Sequence, residues 1–428
     1  MKKSQVVVAY SALLLLLGSV CSQAQQSLTS TRDGDSNASQ ALSNVSGAGT
    51  QRMPPQCSGQ AGRLPGSIAG PCKPTSAGTQ TQQLSNDLLA NDLSRNDDGA
   101  VYVEFAVPGS TCEASFSRCT TPAAINQSGA VTGYYADATA SLHGFVRAAS
   151  GAITTFDAPG ATCSNGSACT IPIAINQQGS ITGYYCDAVA CHGFLRDPGG
   201  TLTQFDAPGG ANGTYPTGIN DAGEVVGYYY DANYVGHGFL RTARGTFTPF
   251  NAPGGVNGTY PTGINDAGEV VGSYYDAGII SQGFLRASDG TTTTIDPTGS
   301  TNTSPNAINL EGAITGWWQD GGTLTIHGFL RSSDGTLTTF DVPGSRGETE
   351  PGAINLADTV TGNFFDAAGG LHGFVRANDG TFTTFDPPGS AEPDSYTFAN
   401  GINAAGVITG WYIDPSFIGY GFLRMPTL

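Results

Sequence analysis

The feature that most constrains the fold is a segment of about 45 residues that recurs along the chain. Its clearest copy reads Gly-Ile-Asn-Asp-Ala-Gly-Glu-Val-Val-Gly from Gly218 to Gly227, followed by His-Gly-Phe-Leu-Arg from His237 to Arg241. The Phe recurs at Phe145, Phe194, Phe239, Phe284, Phe329, Phe374 and Phe422. The unit has no 3.6-residue helical period, and its four short β-like runs are typical of one blade of a β-propeller.

The two ends of the repeat region predict how the ring closes. The last copy ends at Leu428 and lacks the Thr-rich fourth strand of the other copies. A fourth-strand sequence without a blade of its own, from Ala100 to Gly109, precedes the first copy. Pairing these two edges would leave neither strand edge open. We therefore predict an all-β, seven-bladed β-propeller over residues 99–428, closed by an N-terminal strand that completes the last blade.

The N-terminal part of the sequence predicts export. An almost wholly apolar run from Val6 to Val20, followed by Ser22-Gln-Ala24, is typical of a secretory signal peptide over residues 1–24. Residues 25–98 are rich in Ser, Gln and Gly and predict a disordered stalk. We expect a secreted or extracellular protein, at the bacterial cell surface or in the periplasm, with no transmembrane segment after signal removal. A lipid anchor at Cys21 is the alternative, although Val is a poor residue before a lipidated cysteine.

Charge and cysteine content narrow the partners. The formal net charge is −17 with only 12% charged residues, which excludes nucleic acid because binding phosphates needs clusters of Lys and Arg. A glycan, a cell-envelope component or a protein remains as partner. Without Cys21, eight cysteines remain in short-range pairs, and an exported chain predicts disulfides rather than a metal site. The predicted pairs are Cys57 with Cys72, Cys112 with Cys119, Cys163 with Cys169, and Cys186 with Cys191.

A histidine precedes the Gly-Phe pair in five copies: His143, His192, His237, His327 and His372. Gln282 and Tyr420 take this slot in the other two copies. Strand pairing predicts that each His lies near its own turn Asp and near the end of the fourth strand, so that His143 lies with Asp137 and Asp157. We interpret the His as a structural latch, because His, Gln and Tyr share only a planar polar group, with a catalytic dyad as the alternative.

Each copy has an Asp four residues after the strand glycine: Asp137, Asp187, Asp231, Asp276, Asp320, Asp366 and Asp414. Asp is a favoured turn residue, and we predict no cofactor, although these carboxylates leave calcium open. Each third strand ends in an Arg, at 147, 196, 241, 286, 331, 376 and 424, which we expect to bond a carboxylate or carbonyl of a neighbouring strand. The aromatic residue two places after the strand glycine is predicted to pack between blades, with sugar stacking by Trp317, Trp318 or Trp411 as the alternative.

Loop lengths predict where a ligand binds. The connections from the second to the third strand and from the fourth strand to the next blade vary in length, and both emerge on one face of an antiparallel blade. Because variable loops on a rigid scaffold usually carry binding, we predict the site there, around loops 341–353 and 386–401. The candidate ligand-binding residues are Glu348, Glu350, Glu392, Asp394, Trp317, Trp318 and Trp411.

Two functions compete at this stage. The first is a secreted, non-enzymatic repeat protein that binds a glycan, an envelope component or a protein through the variable face. The alternative is a polysaccharide-acting enzyme, a glycoside hydrolase or lyase, that uses the loop carboxylates. No residue is assigned as catalytic.

The Gly-Ile-Asn-Asp-Ala-Gly-Glu-Val-Val-Gly runs that begin at Gly218 and Gly263, with the His-Gly-Phe-Leu that follows the first, resemble the HAF-type bacterial extracellular repeats. Those repeats join a Gly-Ile-Asn-x-x-Gly-x-Val-Gly segment to His-Ala-Phe. This chain has Gly in place of that Ala. The resemblance implies an exported β-repeat protein and brings no activity or catalytic residues with it.

Overall fold

The computed structural model of the protein describes residues 93–95, 99–111, 119–162, 169–390 and 396–426. Every regular element in these ranges is a β-strand, and the strands form seven antiparallel four-stranded blades. None of the described residues belongs to a helix long and apolar enough to cross a membrane. The predicted all-β propeller is confirmed.

The strand bounds follow the repeat. Two strands precede the first blade: β1 (Leu93–Arg95) and β2 (Val101–Phe105). Blade 1 contains β3 (Thr120–Ile125), β4 (Val131–Ala136), β5 (Leu142–Arg147) and β6 (Ile153–Phe156). Blade 2 contains β7 (Thr170–Ile175), β8 (Ile181–Cys186), β9 (Cys191–Arg196) and β10 (Leu202–Phe205). Blade 3 contains β11 (Thr214–Ile219), β12 (Val225–Tyr230), β13 (Gly236–Arg241) and β14 (Phe247–Phe250).

The remaining blades repeat the order, with longer first strands in blades 5 to 7. Blade 4 contains β15 (Thr259–Ile264), β16 (Val270–Tyr275), β17 (Ser281–Arg286) and β18 (Thr292–Ile295). Blade 5 contains β19 (Ser300–Ile308), β20 (Ile314–Asp320), β21 (Ile326–Arg331) and β22 (Leu337–Phe340). Blade 6 contains β23 (Ser345–Ile354), β24 (Val360–Asp366), β25 (Leu371–Arg376) and β26 (Phe382–Phe385). Blade 7 contains β27 (Tyr396–Ile402), β28 (Ile408–Ile413) and β29 (Gly419–Met425).

The ring is closed by a strand from the other end of the chain. β2 pairs antiparallel with β29, from Val101 opposite Met425 to Phe105 opposite Gly421, and so supplies the fourth strand of blade 7. β1 pairs with the outer edge of β2, in the last residues of the segment predicted as a stalk. The first strands of successive blades lie beside one another, including β27 beside β3, so they line the axis of the ring.

The first strand of every blade is bulged, and the bulge explains the repeated glycine of the second strand. The pairing register shifts just after Pro261 in blade 4 and at the equivalent residue of the other blades. The bulge brings the backbone of the first strand against that of the second. A Cβ on Gly272 would lie 2.3 Å from the backbone oxygen of Tyr260, a distance that no side chain can adopt. This glycine is therefore required by close backbone packing.

We call the face that carries the turns between first and second strands, and between third and fourth strands, the lower face. The opposite face, with the other two connections, is the upper face. On the lower face, the Asn after each first strand donates from Nδ2 to the backbone oxygen of the same Asn in the next blade, as from Asn265 to Asn309 at 3.2 Å. The ring of seven comprises Asn126, Asn176, Asn220, Asn265, Asn309, Asn355 and Asn403.

This asparagine ring also closes the propeller, because Asn403 of blade 7 donates to Asn126 of blade 1 at 3.3 Å. The Oδ1 atom of the same side chain accepts from the backbone of its own turn, as Asn265 does from Glu269 at 2.9 Å. All seven side chains are buried. Each amide therefore fixes one turn and links two blades.

The apolar core is divided among the interfaces between neighbouring blades. In one such cluster, Phe239 of blade 3 packs with Phe205 of the preceding blade. The guanidinium of Arg241 lies 4.7 Å from the centre of the Phe205 ring, and its Nη1 donates only to the carbonyl of Thr242 beside it. The same stacking recurs in five other blades. Five of these Arg residues donate to the carbonyl of the residue that follows them, so the predicted bond to a neighbouring strand is wrong for Arg147, Arg196, Arg241, Arg286 and Arg376. The ring of the preceding blade fills that space and forms a cation–π contact.

The disulfide between Cys186 and Cys191 is present and joins the two ends of the turn between β8 and β9. Cys119 and Cys169 are also disulfide-bonded. The predicted partners Cys112 and Cys163, and the predicted pair Cys57 and Cys72, lie outside the described residues.

Candidate functional site on the upper face

The structure places each His of the repeat between two acceptors on the upper face. The Nδ1 atom of His143 lies 2.9 Å from Asp157, and its Nε2 atom lies 3.3 Å from Asp137. His192 and His372 have the same two partners in their own blades. In blade 3, Asn251 replaces the outer carboxylate, at 2.9 Å from His237. The juxtaposition that strand pairing predicts is therefore present.

An aromatic ring covers each of these histidines. Tyr135 stacks on His143 with ring centroids 5.1 Å apart, and Trp318 stacks on His327 at 4.8 Å. The pKa of His372 is raised by its hydrogen bond to Asp386, against the opposing effect of burial. A stacked ring with both nitrogens occupied matches the geometry of a latch that joins the strands of one blade.

The turn carboxylates hold their own turns. Asp231 accepts hydrogen bonds from the backbone of Val235 and Asn233 at 2.9 and 2.8 Å. These bonds, led by that from Val235, lower the pKa of Asp231 against a smaller opposing effect of desolvation, and His237 adds to the lowering. Among the described residues, no group of three or more His, Cys, Asp or Glu side chains could hold a metal ion.

Blade 5 departs from this pattern. The Nδ1 atom of His327 lies 2.9 Å from Asp341, but its Nε2 atom meets the Oγ1 atom of Thr325 at 2.7 Å. A hydroxyl, an imidazole and a carboxylate in this order are the parts of an activated nucleophile. A Cβ on Gly347 would lie 2.8 Å from the Thr325 methyl, so the strand entering blade 6 passes close over this Thr. Sequence reasoning missed the departure; the signal was a Thr two residues before the His.

The sevenfold symmetry is broken most clearly at the upper ends of the first two strands. The residue one place before the start of the bulge in each first strand is, in blade order, Thr121, Ile171, Tyr215, Tyr260, Ser304, Glu350 and Phe398. The residues paired with them are Tyr134, Tyr184, Tyr228, Ser273, Trp317, Asn363 and Trp411. Because first strands line the axis, these fourteen positions surround its upper end. We call them the axial rim.

Blades 2 to 4 contribute a tyrosine cluster to this region. Tyr215 stacks on Tyr228 with ring centroids 5.2 Å apart, and Tyr260 meets Tyr228 edge-on at 5.2 Å from the next blade. Tyr230 and Tyr275 join the cluster, and Tyr230 is hydrogen-bonded to Tyr260. Burial raises the pKa of these phenols, so they remain neutral donors at ordinary pH. Tyr230, Tyr260 and Tyr275 are half-buried, which leaves part of each ring on the surface.

The three tryptophans do not form one platform. Trp317 is half-buried in the rim, whereas Trp318 lies on the other side of β20, is 8% exposed and packs on His327. Trp411 is 5% exposed and stacks flat on Phe398 at 4.1 Å. Of the three, only Trp317 presents much surface to a ligand.

The acidic candidate residues that the structure describes lie in a strand and not in a loop as predicted. Glu348 and Glu350 belong to β23, because the first strand of blade 6 begins at Ser345; the prediction of a loop over 341–353 is wrong from that residue onward. Glu348 is paired with Arg346 at 3.2 Å, and Glu350 is half-buried in the rim. Glu392 and Asp394 lie outside the described residues.

Comparison with known proteins supports the fold. No protein-family model matches the chain, and no curated protein matches it, so the resemblance to HAF-type repeats stays a prediction. Among solved structures, a streptogramin B lyase is similar with a TM-score of 0.50 and 16% identity, covering 76% of this chain and 97% of the lyase. Virginiamycin B lyase from Staphylococcus aureus is similar with a TM-score of 0.50 and 13% identity, covering 76% of this chain and 99% of that chain. At this identity the likeness shows the propeller fold alone.

Proposed function

We propose that this protein is a secreted, non-enzymatic binding protein that holds a glycan in the axial rim. The observation that carries the proposal is the distribution of variation: the asparagine ring below is the same in all seven blades, whereas the rim differs in each. A scaffold that repeats and a rim that does not are what a binding protein needs, because recognition of one ligand requires unlike groups around it.

The chemistry of the rim favours a glycan. A sugar ring has an apolar face and a polar edge, and half-buried aromatic rings with a polar end suit both. Tyr260 and Trp317 supply such rings. Asn363 and Glu350 are half-buried in the rim on blade 6. Glu350 supplies a carboxylate for sugar hydroxyls, and Asn363, whose Oδ1 accepts from the amide of Ala399, supplies its Nδ2 as a donor. Partly shielded polar groups at a rim position are worth more to binding than the same groups in open solvent.

The test is a glycan and envelope-polysaccharide array probed with the exported full-length protein, followed by calorimetric titration of the best ligand. Tyr260→Ala and Trp317→Ala should each weaken binding by about tenfold, the loss expected for one stacked ring. Tyr234→Ala removes an exposed tyrosine of the upper face that lies outside the rim, and should leave glycan affinity unchanged. An array without a binder, or rim variants that bind like the parent, would contradict the proposal.

A hydrolytic activity is the second candidate, and the departure in blade 5 favours it. His327, oriented by Asp341, would take the proton of Thr325 as its Oγ1 attacks an ester carbonyl of the bound glycan. The ester C–O bond then breaks, the sugar hydroxyl leaves with that proton from His327, and water hydrolyses the acyl-threonine to release the acid and restore the Thr325 hydroxyl. The measurement is release of acetate from an acetylated polysaccharide. Thr325→Val and His327→Gln should both abolish release while glycan binding persists, and absence of release by the parent protein removes this candidate.

A further inference from the structure

The turns between the second and third strands hold an unusual set of residues. In six of the seven turns one tip residue has a positive φ, and in five of these six it is not glycine and has a φ near 60°. The five are Ala140 (φ 60°), Tyr234 (φ 61°), Ile279 (φ 62°), Leu324 (φ 61°) and Phe417 (φ 63°). This conformation is strained for any residue with a Cβ, and most of all for a β-branched one such as Ile279. Blade 6 has Gly369 at this place, so glycine fits the turn.

The same side chains are exposed. Ile279 is 72% exposed, Phe417 is 70% exposed and Leu324 is 65% exposed. Val189, at the tip of the shorter turn of blade 2, is 71% exposed, and Tyr234 is 40% exposed. Exposure to water disfavours a large apolar side chain at each of these tips, and at all of them except Val189 the left-handed backbone disfavours it as well. We call Val189, Tyr234, Ile279, Leu324 and Phe417 the apolar crown.

The turn itself does not need these side chains. In blade 4, the backbone oxygen of Asp276 accepts from the amide of Ile279 at 3.0 Å, and the Asp276 carboxylate accepts from the amides of Gly278 and Ile280. All of these bonds use the backbone of the tip, and a glycine would make the bond of Ile279 equally well. The apolar side chain is therefore not explained by the stability of the turn.

The lower face provides an internal comparison. Its turns also contain a left-handed residue, and this residue is glycine in twelve of the thirteen turns, all of which lie in the described residues, with Asp358 as the exception. The chain thus uses glycine for this conformation on the lower face and, on the upper face, in the connections from the fourth strand to the next blade, as at Gly254 and Gly299. Only the upper turns between second and third strands carry large apolar residues there. A local preference that is broken once on the lower face and five times in one set of upper turns indicates a function of those turns.

We propose that the apolar crown inserts into the surface of a zwitterionic lipid bilayer, with the upper face of the ring turned toward the membrane. The crown residues occupy equivalent places in a ring of equivalent blades, so they lie at about one level around the axis and suit a flat partner. They stand one per blade rather than as a continuous patch, and a fluid surface can accept separate side chains without a matching shape.

Charge selects the lipid. The sequence has no lysine between residues 99 and 428, and Arg346 is the one arginine on the described part of the upper face, where the histidines are paired with carboxylates or other acceptors of their own blades. Each crown residue stands beside a turn carboxylate, so an anionic membrane would be repelled. This inference goes beyond the proposed glycan binding and does not depend on it.

The experiment is flotation of the full-length exported protein with phosphatidylcholine vesicles, with and without phosphatidylglycerol. The triple variant Ile279→Gly/Leu324→Gly/Phe417→Gly should bind at least about tenfold more weakly than the parent, since three exposed apolar side chains are lost. Its thermal midpoint should not fall, because glycine relieves the left-handed strain. The matched control Leu310→Ala/Leu356→Ala removes two exposed leucines of the lower face, 50% and 40% exposed, and should float like the parent.

A second measurement locates the contact, so that binding through the N-terminal segment cannot imitate it. The parent already contains Trp317, Trp318 and Trp411, so quenching is compared with the parent. The fraction of tryptophan fluorescence that brominated phosphatidylcholine quenches should be larger in Phe417→Trp than in the parent, and no larger than in the parent in Leu310→Trp. A parent protein that does not float, equal quenching at both positions, or binding that grows with phosphatidylglycerol overturns the proposal. Because Tyr260→Ala and Trp317→Ala should float normally, failure here and failure of glycan binding are distinguishable.

Discussion

The lower and upper faces of this propeller are built from the same seven repeats, but side chains that recur in every blade on the lower face give way to varied side chains on the upper face. On the lower face, every first strand ends in an Asn that bonds the next blade, and glycine takes the left-handed residue of nearly every turn. On the upper face, the turns between second and third strands display Tyr234, Ile279, Leu324 or Phe417 at their left-handed residue, and the rim around the axis changes from blade to blade.

The difference shows how a repeat protein separates stability from recognition. Contacts that hold the ring together must join every blade to the next blade. The same contact is therefore repeated seven times, as in the asparagine ring. Side chains that recognise a ligand gain nothing from repetition, and they vary. The five predictions below test this division, from the largest expected effect to the smallest.

Removal of the closing strand should do the greatest damage. Deletion of residues 99–108 takes away β2, which pairs with β29 along five residue pairs, and leaves an open strand edge in blade 7. We expect loss of the cooperative thermal transition and aggregation in size-exclusion chromatography. A deletion variant that melts like the parent would show that blade 7 is stable with three strands and that closure by β2 is unimportant.

The next largest effect should come from the strand glycine. Gly272→Ala places a Cβ 2.3 Å from the backbone oxygen of Tyr260, so the bulge of β15 must move, and we expect a loss of about 3 kcal/mol or more in the free energy of unfolding. The control Gly278→Ala lies in an upper turn with its nearest contact at 3.3 Å, and should change stability by less than about 0.5 kcal/mol. Urea titration measures both, and similar losses would contradict the claim that close backbone packing at the bulge stabilises the ring while an upper turn does not.

The third largest effect on stability should come from a substitution in the asparagine ring. Asn309→Ala leaves the backbone oxygen of Asn355 without its 2.9 Å bond and the amide of Ala313 without its 2.8 Å bond. Because both groups are buried, we expect a loss of about 2 kcal/mol by urea titration. The exposed Asn233→Ala in an upper turn is the control and should be nearly neutral. If the two variants are equally stable, the asparagine ring does not hold the blades.

The latch of blade 6 should have a small effect that depends on pH. The pKa of His372 is raised by its bond to Asp386, so its contribution is fully present below the unfolded pKa of about 6.5 and is lost as pH rises through the folded value. The pKa of Asp366 is lowered by backbone bonds that outweigh desolvation, so its contribution is present above the ordinary value of 3.8 and is lost as pH falls through the folded value.

The free energy of unfolding of His372→Gln should therefore fall below that of the parent by at most about 1 kcal/mol, and the difference should be greatest between roughly pH 4 and 6.5. Above neutral pH the difference between variant and parent should shrink. Unfolding by urea at a series of pH values measures it. Asp386→Asn removes the partner that raises the pKa and should flatten the profile in the same range. A difference that grows above pH 7 contradicts the assignment.

Much of this fold could be predicted from the sequence, because each blade repeats the same turn and strand signals. The closing strand followed from one missing and one surplus fourth strand, and the position of His143 followed from antiparallel pairing. The partners of the Arg residues could not be predicted, because Arg241 meets Phe205 across an interface between blades, where sequence spacing gives no distance.

The candidate site was predicted only in outline. The variable loops pointed to the upper face, but Glu348 and Glu350 lie in a strand, because β23 extends over residues predicted as a loop. Trp318 and Trp317 are neighbours in sequence and point to opposite sides of β20, so composition alone could not separate a packing residue from a rim residue. The left-handed tips were also hidden, since no pattern suggests that Ile279 occupies a place suited to glycine.

The central claim, that the upper face keeps side chains which its own backbone disfavours, is tested most directly by the stability of Ile279→Gly. The left-handed conformation costs a non-glycine residue about 1 to 2 kcal/mol in the folded state, and Ile279→Gly removes this cost. The substitution also makes the unfolded chain more flexible, which offsets roughly 0.5 to 1 kcal/mol of the gain in stability. The account predicts that Ile279→Gly raises the free energy of unfolding by up to about 1 kcal/mol in urea titration. A fall of 1 kcal/mol or more, to roughly the level of a typical structural substitution, would make Ile279 a residue of the scaffold and contradict the claim.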